Sequence, residues 1–192
     1  DHRDLHSFPT RRSSALASSS YISAEVAFVP DHSTILITGS NRGLGLEFSR
    51  QYAAAGWNVI ATCRNPQTAE ELQTLAGQYN QVVVEKMDVT SDRDVETLAT
   101  KYKNQPIDVL LNNAGIYGTL EKQTLGTFDF EELKRVFDVN TIGSLRVSAA
   151  FLDNVAASEQ KKIISLGGGT GTSTICSKFF GHYCMRRSKA AQ

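Results

Sequence analysis

The chain has 192 residues, 41% of them hydrophobic, and its 20 basic side chains are balanced by 20 acidic ones. That length supports one domain with a real core, and that composition excludes a disordered chain. The charge balance removes the basic excess that marks nucleic-acid binding, and no apolar run reaches the roughly 18 residues of a membrane-spanning helix. Cys63, Cys176 and Cys184 are too scattered for a disulfide framework and lack the spacing of a zinc site. A reducing, cytoplasmic setting without a metal is therefore the expectation.

Residues 1–31 differ from the rest. "HSFPTRRSSALASSS" is rich in Ser, Arg and Ala without a period. It has the composition of a transit peptide, with Asp1 and Asp4 counting against that, and "HSFPTRRSS" resembles translated sequencing-adapter sequence. Both readings leave an irregular tail outside a domain over residues 32–192. Within that domain "TILIT" from Thr34 reads as a buried strand running into glycines. Leu44, Phe48 and Tyr52 then form a helical stripe closed by Gly56. "NVIATC" is a second strand, and "PQTAEELQTLAGQY" a helix opened by Pro66. "QVVVEKMDV" is a third strand, and "SDRDVETLATKY" a helix with Ser91 as N-cap and Asp94 three residues on.

"IDVLLNNAG" is a fourth strand. From Asp129 to about Ala157 the residues Leu133, Phe137, Asn140, Ser144, Val147 and Phe151 mark one face of a single long helix. "KKIISL" is a fifth strand, and a further helix starts near Tyr183. Strand and helix alternate throughout. The expected fold is α/β, a doubly wound parallel sheet (Rossmann fold). It is read as a C-terminally incomplete fragment that stops in the helix after strand five and leaves that strand at or near a bare edge.

"TGSNRGLG", Thr38 to Gly45, lies between the first strand and the first helix. Gly39, Gly43 and Gly45 let the backbone turn and approach a ligand, and the helix N-terminus behind them suits a pyrophosphate. No Lys-Ser/Thr pair follows, so this is not a phosphate-binding P-loop. At the end of the second strand a NAD site wants a carboxylate. Cys63 stands there instead, followed by Arg64. Arg64 and Arg42 pair naturally with a 2′-phosphate, so NADP(H) is preferred over NAD(H).

With "TGSNRGLG", "MDV" at 87–89, "NNAG" at 112–115, "VNTIG" at 139–143 and "SKAA" at 188–191 in order, the chain resembles the short-chain dehydrogenase/reductase family. The resemblance runs from about Thr34 to Gln192 and is nearest to the C-factor and sniffer-like carbonyl reductase branch. It implies hydride transfer between a nicotinamide cofactor and a small carbonyl or alcohol. The whole loop Gly39, Ser40, Asn41, Arg42, Gly43, Leu44 and Gly45 would hold the pyrophosphate side of the cofactor. Asp88 and Val89 would meet the adenine, and Asn112, Asn113, Ala114 and Gly115 would wall the site. Lys189 would bind the nicotinamide ribose, and Asn140 would order a proton-relay water beside it. Asn140 also stands out without the family, because it interrupts an apolar stripe and a buried amide needs partners.

Two catalytic positions depart from the family's pattern. In the register set by "SKAA", Met185 occupies the slot of the proton-donating tyrosine, and a thioether has no proton to give. Tyr183 is six residues before Lys189, about 240° around a helix, although it is four before Arg187. Aligned on Gly171, Gly168 takes the slot of the substrate-positioning serine, with Ser165, Thr170 and Thr172 as nearby hydroxyls. The candidate catalytic set is thus Asn140, Lys189 and Tyr183. Two readings follow: an NADP(H)-dependent oxidoreductase, or a catalytically impaired dinucleotide-binding sensor or regulatory protein. The expected partner is a small carbonyl or alcohol, with no nucleic acid and no membrane. Homo-oligomerisation of a full-length parent through the helix around Asn140 is left open.

Overall fold

The β-branched and leucine-rich runs pair side by side into one sheet. The computed structural model describes residues 28–124, 126–168 and 182–192. In it β1 (Thr34–Ile37), β2 (Asn58–Cys63), β3 (Val82–Lys86), β4 (Val109–Asn112) and β5 (Lys162–Ser165) lie parallel in the order β3-β2-β1-β4-β5. Every residue of β1, β2 and β4 is buried, which explains why these runs do not alternate with polar residues. Side chains alternate between the two faces. Ile35, Ile37, Val59, Ala61 and Leu111 pack with Leu46 and Ala53 of α1 (Gly43–Ala54) and with Leu72 and Leu75 of α2 (Glu70–Gln78). Leu36, Ile60 and Leu110 pack on the other face with Val95 and Leu98 of α3 (Asp92–Lys101). Val147 of α5 (Gly143–Ala150) and Val155 of α6 (Leu152–Ala156) complete that second layer.

Strand order reverses between β1 and β4, so the carboxyl ends of these two strands open a crevice of the kind that holds ligands in open α/β sheets. Among the described residues β5 forms one edge of the sheet, with Ile163 and Ile164 41% and 39% exposed.

The local signals hold in several places. Ser91 Oγ accepts from Asp94 N at 3.1 Å, and Gly56 closes α1 with φ +84°. Three expectations change. On α1 the face toward the sheet is Leu46, Ser49 and Ala53, whose small side chains let the helix approach closely. Phe48 and Tyr52 only flank that core, and Leu44 is 66% exposed. Pro66 opens a 3₁₀ turn, Pro66–Thr68, and α2 begins only at Glu70.

The expected single helix over 129–157 is interrupted. Asp129 caps α4 (Phe130–Phe137), a π-turn follows over Asp138–Ile142, and α5 ends at Phe151 before α6. One extra residue in the π-turn rotates everything before it by about 100°. Glu132 and Val136 therefore become the buried positions of α4, and Leu133 and Phe137 are only half-buried. Finally α7 (Tyr183–Ala190) packs against α4 and the π-turn.

Contacts with the domain begin ahead of the boundary expected at residue 32. The Phe28 ring stacks on Tyr102 with centroids 6.2 Å apart. The Asn58 amide accepts from Val29 N at 2.9 Å and donates to the His32 carbonyl at 3.0 Å.

Phe151 is fully buried at the centre of the second layer. Phe151→Ala is expected to lower unfolding free energy by about 3–5 kcal/mol in urea titration, because the cavity it leaves is enclosed on all sides. Leu145→Ala, at a position 65% exposed, is expected to stay within about 0.5 kcal/mol of the parent.

Candidate active site

The phosphate loop is built by the ends of β1 and β4 together. Gly39 and Gly43 have φ of +69° and +57°, and a Cβ on Gly45 would overlap the Gly39 carbonyl oxygen and sit 2.5 Å from Asn113 Nδ2. Only glycine fits there. Asn113 is the clamp, since its Nδ2 donates to the Thr38 and Gly39 carbonyls at 2.7 and 3.1 Å. The Thr38 hydroxyl completes it by accepting from Asn113 N at 3.0 Å and Ala114 N at 2.9 Å. Ser40 is buried, with its hydroxyl donating to the Ile37 carbonyl at 2.9 Å, so its side chain shapes the loop from inside.

Asn41, Arg42, Gly43 and Leu44 are exposed at the tip, and no side chain caps the N-terminus of α1. The first turn of a helix without a cap presents free N–H groups and the positive end of its dipole to an anion. Arg64, at the end of β2, is also exposed, and among the described residues neither it nor Arg42 has a carboxylate partner. Cys63 beside it is buried, and burial pushes its thiol up.

Past β3, the Asp88 carboxylate accepts from Thr90 N at 2.9 Å and from Thr90 Oγ1 at 2.8 Å, which fixes the turn. Val89 is buried against Gly143, and its carbonyl accepts from Arg146 Nη1 at 2.8 Å. The same arginine pairs with Asp92 and Asp138, so one side chain ties this turn to α3 and the π-turn.

The far end of the crevice gathers the remaining candidates. Asn112 is buried, with Nδ2 donating to Ser148 Oγ at 2.9 Å and Oδ1 left without a partner. A Cβ on Gly115 would lie 3.4 Å from Asn140 Oδ1 and 3.6 Å from Lys189 Nζ, so this glycine brings three separate segments together. Asn140, fully buried in the π-turn, accepts from Ile116 N at 2.8 Å and donates to the Ile116 carbonyl and to Ser188 Oγ, both at 2.9 Å. Lys189 Nζ donates to the Leu166 carbonyl at 2.6 Å and to Gln192 Oε1 at 2.9 Å. Burial holds its ammonium below the ordinary lysine range.

Tyr183 is half-buried at the start of α7, a turn and a half from Lys189, so the structure does not bring these two together on one helix face. Met185 is buried one turn before Lys189. Gly168 and Ser165 are exposed beyond and within β5, whereas Thr170, Gly171 and Thr172 lie outside the described residues.

Several residues that shape the site carried no recognisable signal in the sequence. Buried Gln123 accepts from Met185 N at 3.2 Å, capping α7, and donates to the Tyr117 carbonyl at 2.7 Å. Buried Glu132 accepts from Thr119 N and takes a two-point contact from Arg135 at 2.9 and 2.8 Å. Both brace the loop that follows Gly115. Their partners are far off in sequence or are backbone groups, which spacing alone does not reveal. Asn113 was visible only as part of the wall formed by "NNAG", not as a clamp on the loop, and Ser188 only as a member of "SKAA".

A parallel sheet with order β3-β2-β1-β4-β5 and a glycine-rich turn at its reversal point defines a doubly wound α/β protein. Residues 33–191 match the short chain dehydrogenase model, and the chain belongs to that family. Retinol dehydrogenase 8 of Bos taurus is 32% identical over 149 residues, which are 74% of this chain and 46% of that enzyme. The crystal structure of NADPH-bound carbonyl reductase from chicken fatty liver superposes with a TM-score of 0.76 at 30% identity, covering 83% of this chain and 69% of that one. A short-chain dehydrogenase/reductase from Burkholderia multivorans with bound NADP gives 0.74 at 25% identity, over 83% and 68%. The chain thus spans less than half the length of retinol dehydrogenase 8.

The Arg135 guanidinium, through its hydrogen bonds, holds the Glu132 carboxyl down at about 2. A depressed carboxylate adds stability that is complete above its unfolded value, near 4.5, and is lost as pH falls through 2. Glu132→Gln is expected to remove about 1–2 kcal/mol at pH 7, discounted for screening at the half-exposed arginine. Urea titrations should show this difference shrinking between pH 5 and about 2.5.

Proposed function

We propose that this chain is the dinucleotide-binding part of an NADP(H)-dependent oxidoreductase acting on a small carbonyl or alcohol. The observation that carries the reading is the paired construction of the crevice. The cradle clamped by Asn113 opens onto the uncapped start of α1, and Lys189 and Asn140 meet at Gly115 on the opposite side. When bound, a nicotinamide dinucleotide supplies the hydride. The residues present fit such a group: Gly43 has open space beside it at the tip of the loop, Gly45 lets α1 start tightly against the Gly39 carbonyl, and the uncapped α1 N-terminus would suit its pyrophosphate. Asp88 and Val89 fit the adenine, Ala114 and Gly115 the wall, and Lys189 the nicotinamide ribose. Arg42 and Arg64 favour a 2′-phosphate, in keeping with the NADPH and NADP of the two superposed structures.

Asn140 has its side-chain amide fully engaged, so its contribution to a proton relay would run through its backbone carbonyl, which accepts from Ser144 Oγ at 3.2 Å. The narrower kinship with C-factor and sniffer-like carbonyl reductases has its support in the wording of the motifs. A cytoplasmic setting suits Cys63 and Cys184, which are buried and unpaired. No helix among the described residues is long and apolar enough to cross a membrane. Phe130, Ile142, Leu145 and Leu152 expose an apolar row along α4 to α6, the surface that supports homo-oligomerisation of a longer parent.

Two experiments test the reading. Arg64→Glu is expected to weaken NADPH binding at least tenfold in fluorescence titration while leaving NADH within about twofold, since one charge-assisted pair is replaced by repulsion. Equal loss for both cofactors would remove the 2′-phosphate contact.

A second reading, binding without turnover, is favoured by Met185 and Gly168. The double substitution Met185→Tyr with Gly168→Ser, made in the longest natural form of the protein, separates the two. Restoring a general acid is expected to raise NADPH-dependent carbonyl reduction by about 10²–10⁴-fold. No gain with NADPH affinity intact would favour the sensor.

A further inference from the structure

With a thioether at position 185, another group must give the proton that carbonyl reduction consumes. We propose that Lys189 is itself the general acid of this site, passing a proton from Nζ to the substrate oxygen; the proposal rests on the reductase reading above.

The described side chains around the far end of the crevice leave few donors. The amides of Asn112, Asn113 and Asn140 donate hydrogen bonds but do not give up protons at ordinary pH. Ser188 is fully buried, donates to the Met185 carbonyl at 2.8 Å and accepts from Asn140, so both its roles are filled. Met185 has nothing to give. Lys189 carries three N–H groups, of which two are directed at Leu166 and Gln192. Its Nζ stands close to the space left by the missing side chain of Gly115, at the mouth of the crevice.

The surroundings lower the work of losing a proton. Burial disfavours the ammonium, and no carboxylate offsets that effect. The charged groups on the elements packed against α7 are committed elsewhere. On α4, Glu132 is held by Arg135 and Glu131 by Lys134; at the π-turn, Asp138 is held by Arg146. On α7 itself Arg187 is exposed and Arg186 is buried and engaged in an interaction of its own, and the nearby ends of β4 and β5 bear no charged side chain. A buried methionine beside Lys189 preserves this apolar setting.

The step balances. Lys189 gives one proton to the carbonyl oxygen while the carbonyl carbon takes hydride, with its electron pair, from reduced nicotinamide dinucleotide. The carbon–oxygen π bond breaks, one C–H and one O–H bond form, and the dinucleotide is left oxidised. The neutral amine regains its proton from water at the half-exposed end of the side chain.

The test has an arm that needs no turnover. Amine labelling with trinitrobenzenesulfonate, followed by mass spectrometry across pH, should give Lys189 a midpoint at least one pH unit below those of exposed Lys103 and Lys161, about a tenfold change in proton affinity. NADPH should slow that labelling. In turnover assays Lys189→Arg keeps the charge but holds its proton too tightly to give it up. It should bind NADPH within about fivefold of the parent and lose at least about a hundredfold in carbonyl reduction. The parent's rate should fall as pH rises through the labelling midpoint, because the acid must be protonated.

Tyr117, 66% exposed two residues after Gly115, and Tyr183 at the start of α7 are the rival phenols, and Tyr117→Phe and Tyr183→Phe should each stay within about twofold of the parent. The proposal is overturned by a Lys189 midpoint equal to those of the exposed lysines, by turnover that survives Lys189→Arg, or by turnover lost in Tyr117→Phe or Tyr183→Phe. A parent that binds NADPH but reduces no carbonyl overturns the reductase reading and this step with it. Turnover surviving Lys189→Arg removes this step alone.

Discussion

The buried amide of Asn140 is the constraint on which the site depends. A primary amide with no exposure must place both its oxygen and its nitrogen on partners, or folding bears the full cost of desolvating them. Asn140 meets that demand with the backbone of Ile116 on one side and the Ser188 hydroxyl on the other. Those partners lie just beyond β4 and on α7. One side chain therefore ties the sheet's central crevice, the long helical stretch and the helix that carries Lys189. The π-turn is the backbone counterpart of the same requirement. Its extra residue is what turns Asn140 inward while Val136 before it and Val147 after it both still face the core.

This also explains which parts of the chain were legible in the sequence. The buried strands were readable because β1, β2 and β4 lie wholly inside, so their apolar runs needed no alternation. Ser91 and Gly56 were readable because capping is local chemistry. The α1 face was misread because period alone favours the bulky Leu44, Phe48 and Tyr52. Against a sheet, close approach favours Ser49 and Ala53 instead. The stripe before Asn140 slipped by one position because no composition rule announces a π-turn. The cradle was legible from its glycines. Its clamp was not, because Asn113 acts through contacts with Thr38 and Gly39 more than seventy positions earlier.

Electrostatics divides the crevice into two unlike ends. At the phosphate loop the positive groups are left unmatched among the described residues: α1 has no side-chain cap, and Arg42 and Arg64 make no ion pair. Elsewhere the same kind of charge is tightly matched, as in Arg146 with Asp92 and Asp138, or Arg135 with Glu132. An unmatched cationic edge is costly unless solvent or an anion attends it. Leaving it open at one place while pairing arginines elsewhere is the arrangement that a polyanionic ligand would favour, which is what the proposed NADP(H) reading uses.

At the other end the constraint falls on the backbone around Met185. Gln123 caps Met185 through its backbone N–H, and Ser188 returns a hydrogen bond to the Met185 carbonyl. Neither contact depends on what residue 185 carries beyond its Cα. The backbone of residue 185 is thus held from both sides. What its thioether brings to the surroundings of Lys189 is a weak acceptor that has no proton to give. A lysine in that setting carries its charge at a higher cost than one beside a phenol. On the reductase reading, a residue 185 that gives no proton leaves that task to a neighbour whose own charge burial already disfavours.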